Sequence, residues 1–77
     1  MPTLEELVLE SIKQSPDRLT SDDVTSRMLS SKGRKLLKLE DEDQIWYDSK
    51  IQVNEALWSL VDHSRLEFTV DCKFALV

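Results

Sequence analysis

The side chains best suited to acid–base or nucleophilic chemistry occur singly in this sequence. His63 is the only histidine and Cys72 is the only cysteine, and neither has a partner for catalysis near it in sequence. His63 falls at the predicted end of a helix, where a cation complements the helix dipole. Cys72 falls in a predicted turn. These positions favour structural roles over catalysis.

Carboxylates cluster at two places, and neither has the spacing of a reactive site. Asp22 and Asp23 are neighbours, and adjacent helical residues do not face each other, so they are expected to cap a helix. The run from Glu40 to Asp43 lacks the spaced ligands and the glycine of a calcium loop. One cysteine and one histidine are too few for a closed zinc site, and a single glycine cannot build a phosphate-binding loop. We therefore predict a protein that is not an enzyme and has no cofactor and no metal.

Length and composition are typical of one small domain, residues 1–77. The chain is 40% apolar and 32% charged, which suits a compact core under a solvated surface. No apolar run approaches the roughly 18 residues of a membrane span. The opening residues, Met1 to Glu6, lack the order of a signal peptide, and one cysteine forms no internal disulfide. We therefore expect a cytoplasmic protein.

The net charge of −5 is unevenly distributed. A basic block, Lys32, Arg34, Lys35 and Lys38, is followed at once by an acidic block between Glu40 and Asp48. Proteins that bind nucleic acid usually present a basic patch. The two blocks therefore form either a self-compensating solvated loop or a nucleic-acid contact whose field the acids partly cancel.

The first two helices have clear start signals. Thr3 and Glu6 form a predicted capping box, and the residue pair Ser15–Pro16 is expected to end the first helix. Arg18–Thr20 is predicted to be extended and could add a small strand. Thr20 is then expected to cap a second helix whose first turn carries the two aspartates.

The segment between the second and third helices, residues 32–48, is the hardest to interpret. Gly33 suits a left-handed helix end. Six apolar side chains follow: Leu36, Leu37, Leu39, Ile45, Trp46 and Tyr47. The segment therefore either contains a short element of its own or lies back on the domain.

The last third of the chain predicts a helix followed by a hairpin. Ser49 is expected to cap the third helix, with Gln52 completing a capping box. The helical period assigns its core face to Val53, Ala56, Leu57, Leu60 and Val61. Alternating apolar residues then predict two strands: Leu66, Phe68 and Val70 in the first, and Phe74 and Leu76 in the second. The fold class is therefore α+β.

The order of helix, extended piece, two helices and hairpin resembles the winged helix-turn-helix family. The resemblance is sharpest over Val53-x-x-Ala56-Leu57-x-x-Leu60-Val61-x-x-x-x-Leu66-x-Phe68, with Phe74-x-Leu76 after it. It implies a small winged-helix-like domain with an inserted segment between helices 2 and 3. It also implies that Lys50 and Asn54 on the third helix, and Lys73 on the wing, contact nucleic acid.

The outer face of the third helix departs from that expectation, because it carries Ile51, Asn54, Glu55, Trp58 and Asp62. The apolar pair Ile51 and Trp58 has three interpretations. The inserted segment covers it, another chain binds it, or it reads nucleic acid. The candidate partner contacts are Ile51, Glu55, Trp58, Asp62 and Trp46. The candidate nucleic-acid contacts are Lys32, Arg34, Lys35, Lys38, Lys50, Asn54 and Lys73.

The sequence thus favours a non-enzymatic regulatory or adaptor module that contacts a protein partner or a second copy of itself. The alternative is a winged-helix DNA-binding transcriptional regulator. A third hypothesis is an acidic protein that binds a basic partner by mimicking nucleic-acid charge. No membrane partner is expected.

Overall fold

The computed structural model of the chain describes residues 3–15 and 18–77, apart from the side chain of Lys32. Within these residues it has three α-helices followed by an antiparallel hairpin. The elements are α1 (Leu4–Lys13), α2 (Ser21–Leu29), α3 (Ile45–Asp62), β1 (Leu66–Phe68) and β2 (Phe74–Leu76). The predicted α+β order is confirmed.

Side-chain caps start α1 and α2 as the sequence predicts. The Thr3 hydroxyl accepts from Glu6 N at 3.2 Å, and the Glu6 carboxylate accepts from Thr3 N at 3.4 Å. Thr20 and Asp23 make the same reciprocal pair at 3.1 and 3.2 Å. Helix α1 ends at Lys13; Pro16, the predicted breaker, lies outside the described residues.

One core joins the three helices and the base of the hairpin. Its central side chains are almost fully enclosed and come from every element: Val8, Ile12, Val24, Met28, Val53, Leu57, Leu66 and Phe74. Leu37 adds a buried side chain from the inserted segment. Burying apolar surface is the main favourable contribution to folding, so the helical period of α3 fixes which of its faces points inward.

The hairpin is short, and only two of the four side chains on its inner face are buried. Cross-strand partners are Leu66 with Leu76 and Phe68 with Phe74. Leu66 and Phe74 are buried, whereas Phe68 and Leu76 are more than two-fifths exposed. The alternation in the sequence correctly places these four residues in the two strands, but the helices cover only part of their shared face.

Two further strand predictions have different outcomes. Val70 is fully exposed and lies in the turn, because β1 ends at Phe68 and not at Val70. The extended piece Arg18–Thr20 does pair with the hairpin. Leu19 N donates to Phe74 O at 3.2 Å, and Phe74 N donates to Leu19 O at 2.7 Å, so Leu19 lies beside β2 on the edge away from β1.

The inserted segment has elements of its own and also lies back on the core. A 3-10 helix spans Lys32–Leu36, and a second spans Glu42–Gln44 and runs directly into α3. Gly33 does not adopt a left-handed conformation, so the predicted helix-end role is wrong. A Cβ there would overlap with Cε of Met28, whose side chain is fully buried, so the close approach of that side chain favours glycine.

The third helix starts four residues before the predicted cap. It begins after Gln44, which makes no side-chain cap bond. Asp41 instead caps the preceding 3-10 helix, where its carboxylate accepts from Asp43 N at 2.9 Å. Acidic residues at this end also suit the helix dipole. Ser49 is consequently a buried residue inside α3 and not its cap. Across residues 3–15 and 18–77, no helix combines the length and the apolar character that a membrane crossing requires.

Ser49 yields the first prediction. Its hydroxyl is fully buried and has no hydrogen-bond partner among the described residues. Ser49→Ala is expected to raise the free energy of unfolding by about 1 kcal/mol, because it removes an unpaired buried polar group and improves helix propensity. Urea unfolding followed by far-UV circular dichroism measures the change.

The matched control is Thr25, a buried helical residue whose hydroxyl donates to Ser21 O at 2.7 Å. Thr25→Val keeps the shape but loses that bond, and it should lower the free energy of unfolding by about 1 kcal/mol. A loss of stability in both variants would show that the Ser49 hydroxyl is satisfied and would contradict the prediction.

Candidate functional site

The outer face of α3 carries a row of exposed side chains, which we call the outer stripe: Tyr47, Ile51, Asn54 and Trp58. At 100° per residue these four positions fall within roughly a 60° arc. Tyr47 is 65% exposed, Ile51 58% and Trp58 45%, while Asn54 is half-buried. The outer stripe lies opposite the core face of the same helix, so α3 is apolar on two sides.

Trp58 extends the outer stripe onto the hairpin. Its ring centroid lies 4.9 Å from that of Phe68 and 5.4 Å from that of Phe74. Phe68 and Phe74 are 5.0 Å apart, so the three rings form one cluster. Phe74 is buried, whereas Phe68 is 43% exposed. The cluster fixes the Trp58 ring against the hairpin and leaves one side of it in solvent.

The turn from α3 into β1 sets where the hairpin meets Trp58. Arg65 N donates to Leu60 O at 2.8 Å and Ser64 N donates to Val61 O at 3.0 Å. This is the helix-ending motif that usually places glycine in the left-handed conformation. Ser64 adopts it here with φ of 60°. The chain therefore reverses within two residues of the helix end.

The inserted segment lies along a different flank of α3. The Gln52 amide accepts from Lys38 N at 2.8 Å and donates to Lys38 O at 3.0 Å. Gln52 is roughly 130° round the helix from the centre of the outer stripe. The segment therefore docks beside the outer stripe, and the interpretation in which it covers Trp58 is wrong.

Trp46 lies outside the outer stripe, although it is a predicted contact, and Tyr47 lies in it, although it is not. Trp46, a predicted partner contact, is 38% exposed but lies roughly 110° round the helix from the outer stripe. Tyr47, which is not among the predicted contacts, belongs to the stripe. Its spacing of four residues from Ile51 and eleven from Trp58 was a usable signal, lost because the helix was expected to start at Ser49.

A row of carboxylates runs beside the outer stripe, and we call it the acidic row: Asp48, Glu55 and Asp62. The seven-residue spacing places them on one side of α3, next to Ile51 and Trp58. Glu55 and Asp62 are exposed and Asp48 is half-buried. Among the described residues none of the three carboxylates has a cation within ion-pair distance. Both predicted acidic contacts, Glu55 and Asp62, thus lie beside the apolar pair.

The opposite flank carries Lys50, whose charge is already engaged. Its Nζ lies 2.8 Å from Asp22 Oδ1, which ties α3 to the first turn of α2. Lys50, a predicted nucleic-acid contact, therefore points to α2. Asn54, the second candidate on this helix, lies in the outer stripe between two large apolar residues.

The other predicted cations come from two other parts of the fold, the inserted segment and the hairpin. Arg34, Lys35 and Lys38 are exposed on the inserted segment, and the side chain of Lys32 lies outside the described part of the chain. Lys73 is half-buried near the hairpin turn, where it lines a shallow groove of about 830 Å³ with Arg18 and Arg27. That groove also contains the carboxylates of Asp23 and Asp71.

The side chains with acid–base or nucleophilic chemistry remain separate. His63 Nδ1 donates to Ser59 O at 2.7 Å at the end of α3. Cys72 is exposed in the hairpin turn, with a left-handed backbone at φ of 61°. In the same turn, a hydrogen bond from the Thr69 hydroxyl lowers the pKa of Asp71. No group of histidine, cysteine and carboxylate suited to a metal occurs among residues 3–15 and 18–77.

Comparison of the chain with protein-family models, curated proteins and solved structures gives no match. The resemblance to winged-helix proteins accordingly stays a prediction from the hydrophobic pattern.

The aromatic cluster predicts that Trp58 stabilises the fold as well as shaping the surface. Trp58→Ala removes two ring contacts and the partial burial of the indole, so it should lower the free energy of unfolding by about 2 kcal/mol. Ile51→Ala, on the same helix but without ring contacts, should cost less than about 0.5 kcal/mol. Urea unfolding by far-UV circular dichroism compares the two, and equal losses would contradict the cluster's role.

Proposed function

We propose that this chain is a non-enzymatic interaction module that binds another polypeptide through the outer stripe and the adjoining ring of Phe68. The observation that carries this proposal is the continuity of the exposed apolar surface from Tyr47 and Ile51 to Trp58 and Phe68. Contiguous exposed apolar groups that include aromatic rings are typical of interfaces. A face with only a solvation role would carry isolated apolar residues between charges.

The residue types on this surface also suit binding. Tryptophan and tyrosine are enriched among residues that dominate interface energetics. The ring cluster already restrains Trp58, so binding would cost little additional side-chain entropy at that position. A regulatory or adaptor role follows from binding without chemistry. We further propose a cytoplasmic location, where the exposed thiol of Cys72 would stay reduced.

A winged-helix DNA-binding regulator is the competing proposal. Its support is the exposure of Arg34, Lys35 and Lys38 on the inserted segment, together with the hydrophobic pattern shared with that family. Two features count against it. Lys50 is paired with Asp22, and α3, the helix that would enter the major groove, exposes the acidic row to the phosphates.

Selection from a library of random 16-residue peptides tests the proposal. Peptides enriched on the native chain should bind at least about tenfold more weakly to the double variant Tyr47→Ala, Ile51→Ala, because truncating interface anchors typically costs more than 1 kcal/mol each. This variant leaves the ring cluster and the acidic row intact. Fluorescence anisotropy with each selected peptide gives the affinities.

The double variant Arg34→Ala, Lys35→Ala is the matched control and should bind the selected peptides like the native chain. The same two variants test the competing proposal against a random DNA duplex at low salt. The interaction proposal fails if no selected peptide depends on Tyr47 and Ile51. It is replaced by the DNA proposal if the duplex binds and only the loss of Arg34 and Lys35 abolishes that binding.

A further inference from the structure

We infer that the partner of the outer stripe is a basic amphipathic α-helix, whose apolar side packs on the stripe and whose cations face the acidic row. This inference rests on the proposed function and specifies the chemistry of the partner. It draws on two separate observations: the spacing of the stripe and the sign of the charges beside it.

The spacing of the outer stripe is that of a helix-packing seam. Its members follow one another at intervals of four, three and four residues, which is the spacing of apolar positions in paired helices. The seam runs for three turns on α3, an element that the core holds rigidly along its opposite face. A rigid straight seam on a helix suits a partner helix, because apolar positions at this spacing interlock with the same spacing on a second helix.

Asn54 adds a constraint on that helix. It occupies one seam position between Ile51 and Trp58, and a single polar residue in an otherwise apolar seam fixes register. The partner is therefore expected to present one asparagine or glutamine opposite Asn54, with apolar residues opposite its neighbours.

The charges beside the outer stripe indicate which kind of helix would bind. The acidic row supplies three carboxylates with no ion-pair partner among the described residues. Lys38 lies on this flank, where it borders a shallow hollow of about 310 Å³ that also contains Glu40 and Asp48. Glu40 offsets it, and Lys50 on the other flank is paired with Asp22. The flanks of the seam therefore present net negative charge, which favours lysine and arginine on the partner.

The same charges disfavour a second copy of this chain. If two copies of α3 packed antiparallel about a twofold axis near Glu55, the two Glu55 carboxylates would face each other and Asp48 of one copy would face Asp62 of the other. Charges in these flanking positions decide partner choice between helices. Parallel packing would bring Lys50 towards Glu55, but Lys50 already pairs with Asp22.

Two synthetic helical peptides of about 18 residues, or five turns, test the inference. Both carry leucine at the seam positions with one asparagine. One peptide has lysine at all remaining positions, and its counterpart has glutamate at those positions. The lysine peptide should bind the native chain and the glutamate peptide should not, with fluorescence anisotropy as the readout. Raising the ionic strength should weaken the binding, because exposed charges are screened.

Charge reversal on the acidic row provides the decisive variant. Glu55→Lys with Asp62→Lys should weaken lysine-peptide binding by at least about tenfold and should allow the glutamate peptide to bind. The matched control, Glu10→Lys with Glu67→Lys, makes the same change in net charge at exposed positions off the stripe. It should leave the preference for the lysine peptide unchanged. Far-UV circular dichroism checks that both variants are folded.

The outcomes separate this inference from the proposed function. If both peptides bind equally, and Tyr47→Ala with Ile51→Ala abolishes the binding, the interaction surface stands and the basic partner is overturned. If the lysine peptide binds regardless of Tyr47 and Ile51, both proposals fail. If neither peptide binds but sedimentation shows a dimer that depends on Ile51, a second copy replaces the basic helix.

Discussion

The structure depends on α3, which the other described elements cover on one side and leave exposed on the other. This helix has 18 residues, and α1, α2, the hairpin and the inserted segment all gather on its core face and flanks. In a domain of this size much of the surface stays solvated even when the core is complete. The side of α3 opposite Val53 and Leu57 is an outer surface of the described domain. Trp58 on this side also contributes to the fold through its ring contacts. Tyr47 and Ile51 are more than half exposed, so their residue types are informative about use.

The hairpin depends on the end of that helix. The tight reversal at Ser64 brings β1 back alongside α3, and the contact between Trp58 and Phe74 then links the hairpin to the core. Leu19 pairs with the other side of Phe74, so this residue is held by backbone bonds on one element and by an aromatic ring on another. Phe68 is brought to the surface beside Trp58 by the same arrangement. The same aromatic cluster thus contributes the buried ring of Phe74 to the core and the exposed ring of Phe68 to the surface.

Local signals in the sequence predicted the architecture well. The caps at Thr3 and Thr20 act within three residues, and the helical period of α3 follows from burial alone, so neither needs knowledge of the tertiary structure. The start of α3 was mispredicted because Ser49 has the residue type of a cap, whereas the helix begins after Gln44, which makes no side-chain cap bond. Burial distinguishes Ser49 from a cap, because its side chain lies against the core.

That single boundary error also concealed part of the candidate site. A helix starting after Ser49 excludes Tyr47, and without Tyr47 the pair Ile51 and Trp58 is a short strip and not a three-turn seam. Gly33 was mispredicted for a related reason. Its role depends on the position of the Met28 side chain, which lies in another element and leaves no mark in the local sequence.

Asp62 offers a final argument that the outer side of α3 is shaped by more than solubility. It occupies the last turn of the helix, where the dipole favours cations and where α3 has no basic residue. An acid there is mildly unfavourable for the helix, by about 0.5 kcal/mol, and no ion pair among the described residues offsets it. Lysine would solvate this position equally well and would stabilise the helix end. Departures from local preference without a compensating contact tend to mark functional positions. Asp62 continues the row of Asp48 and Glu55 at the same spacing. The unfavourable acid at the helix end is therefore the third member of the acidic row.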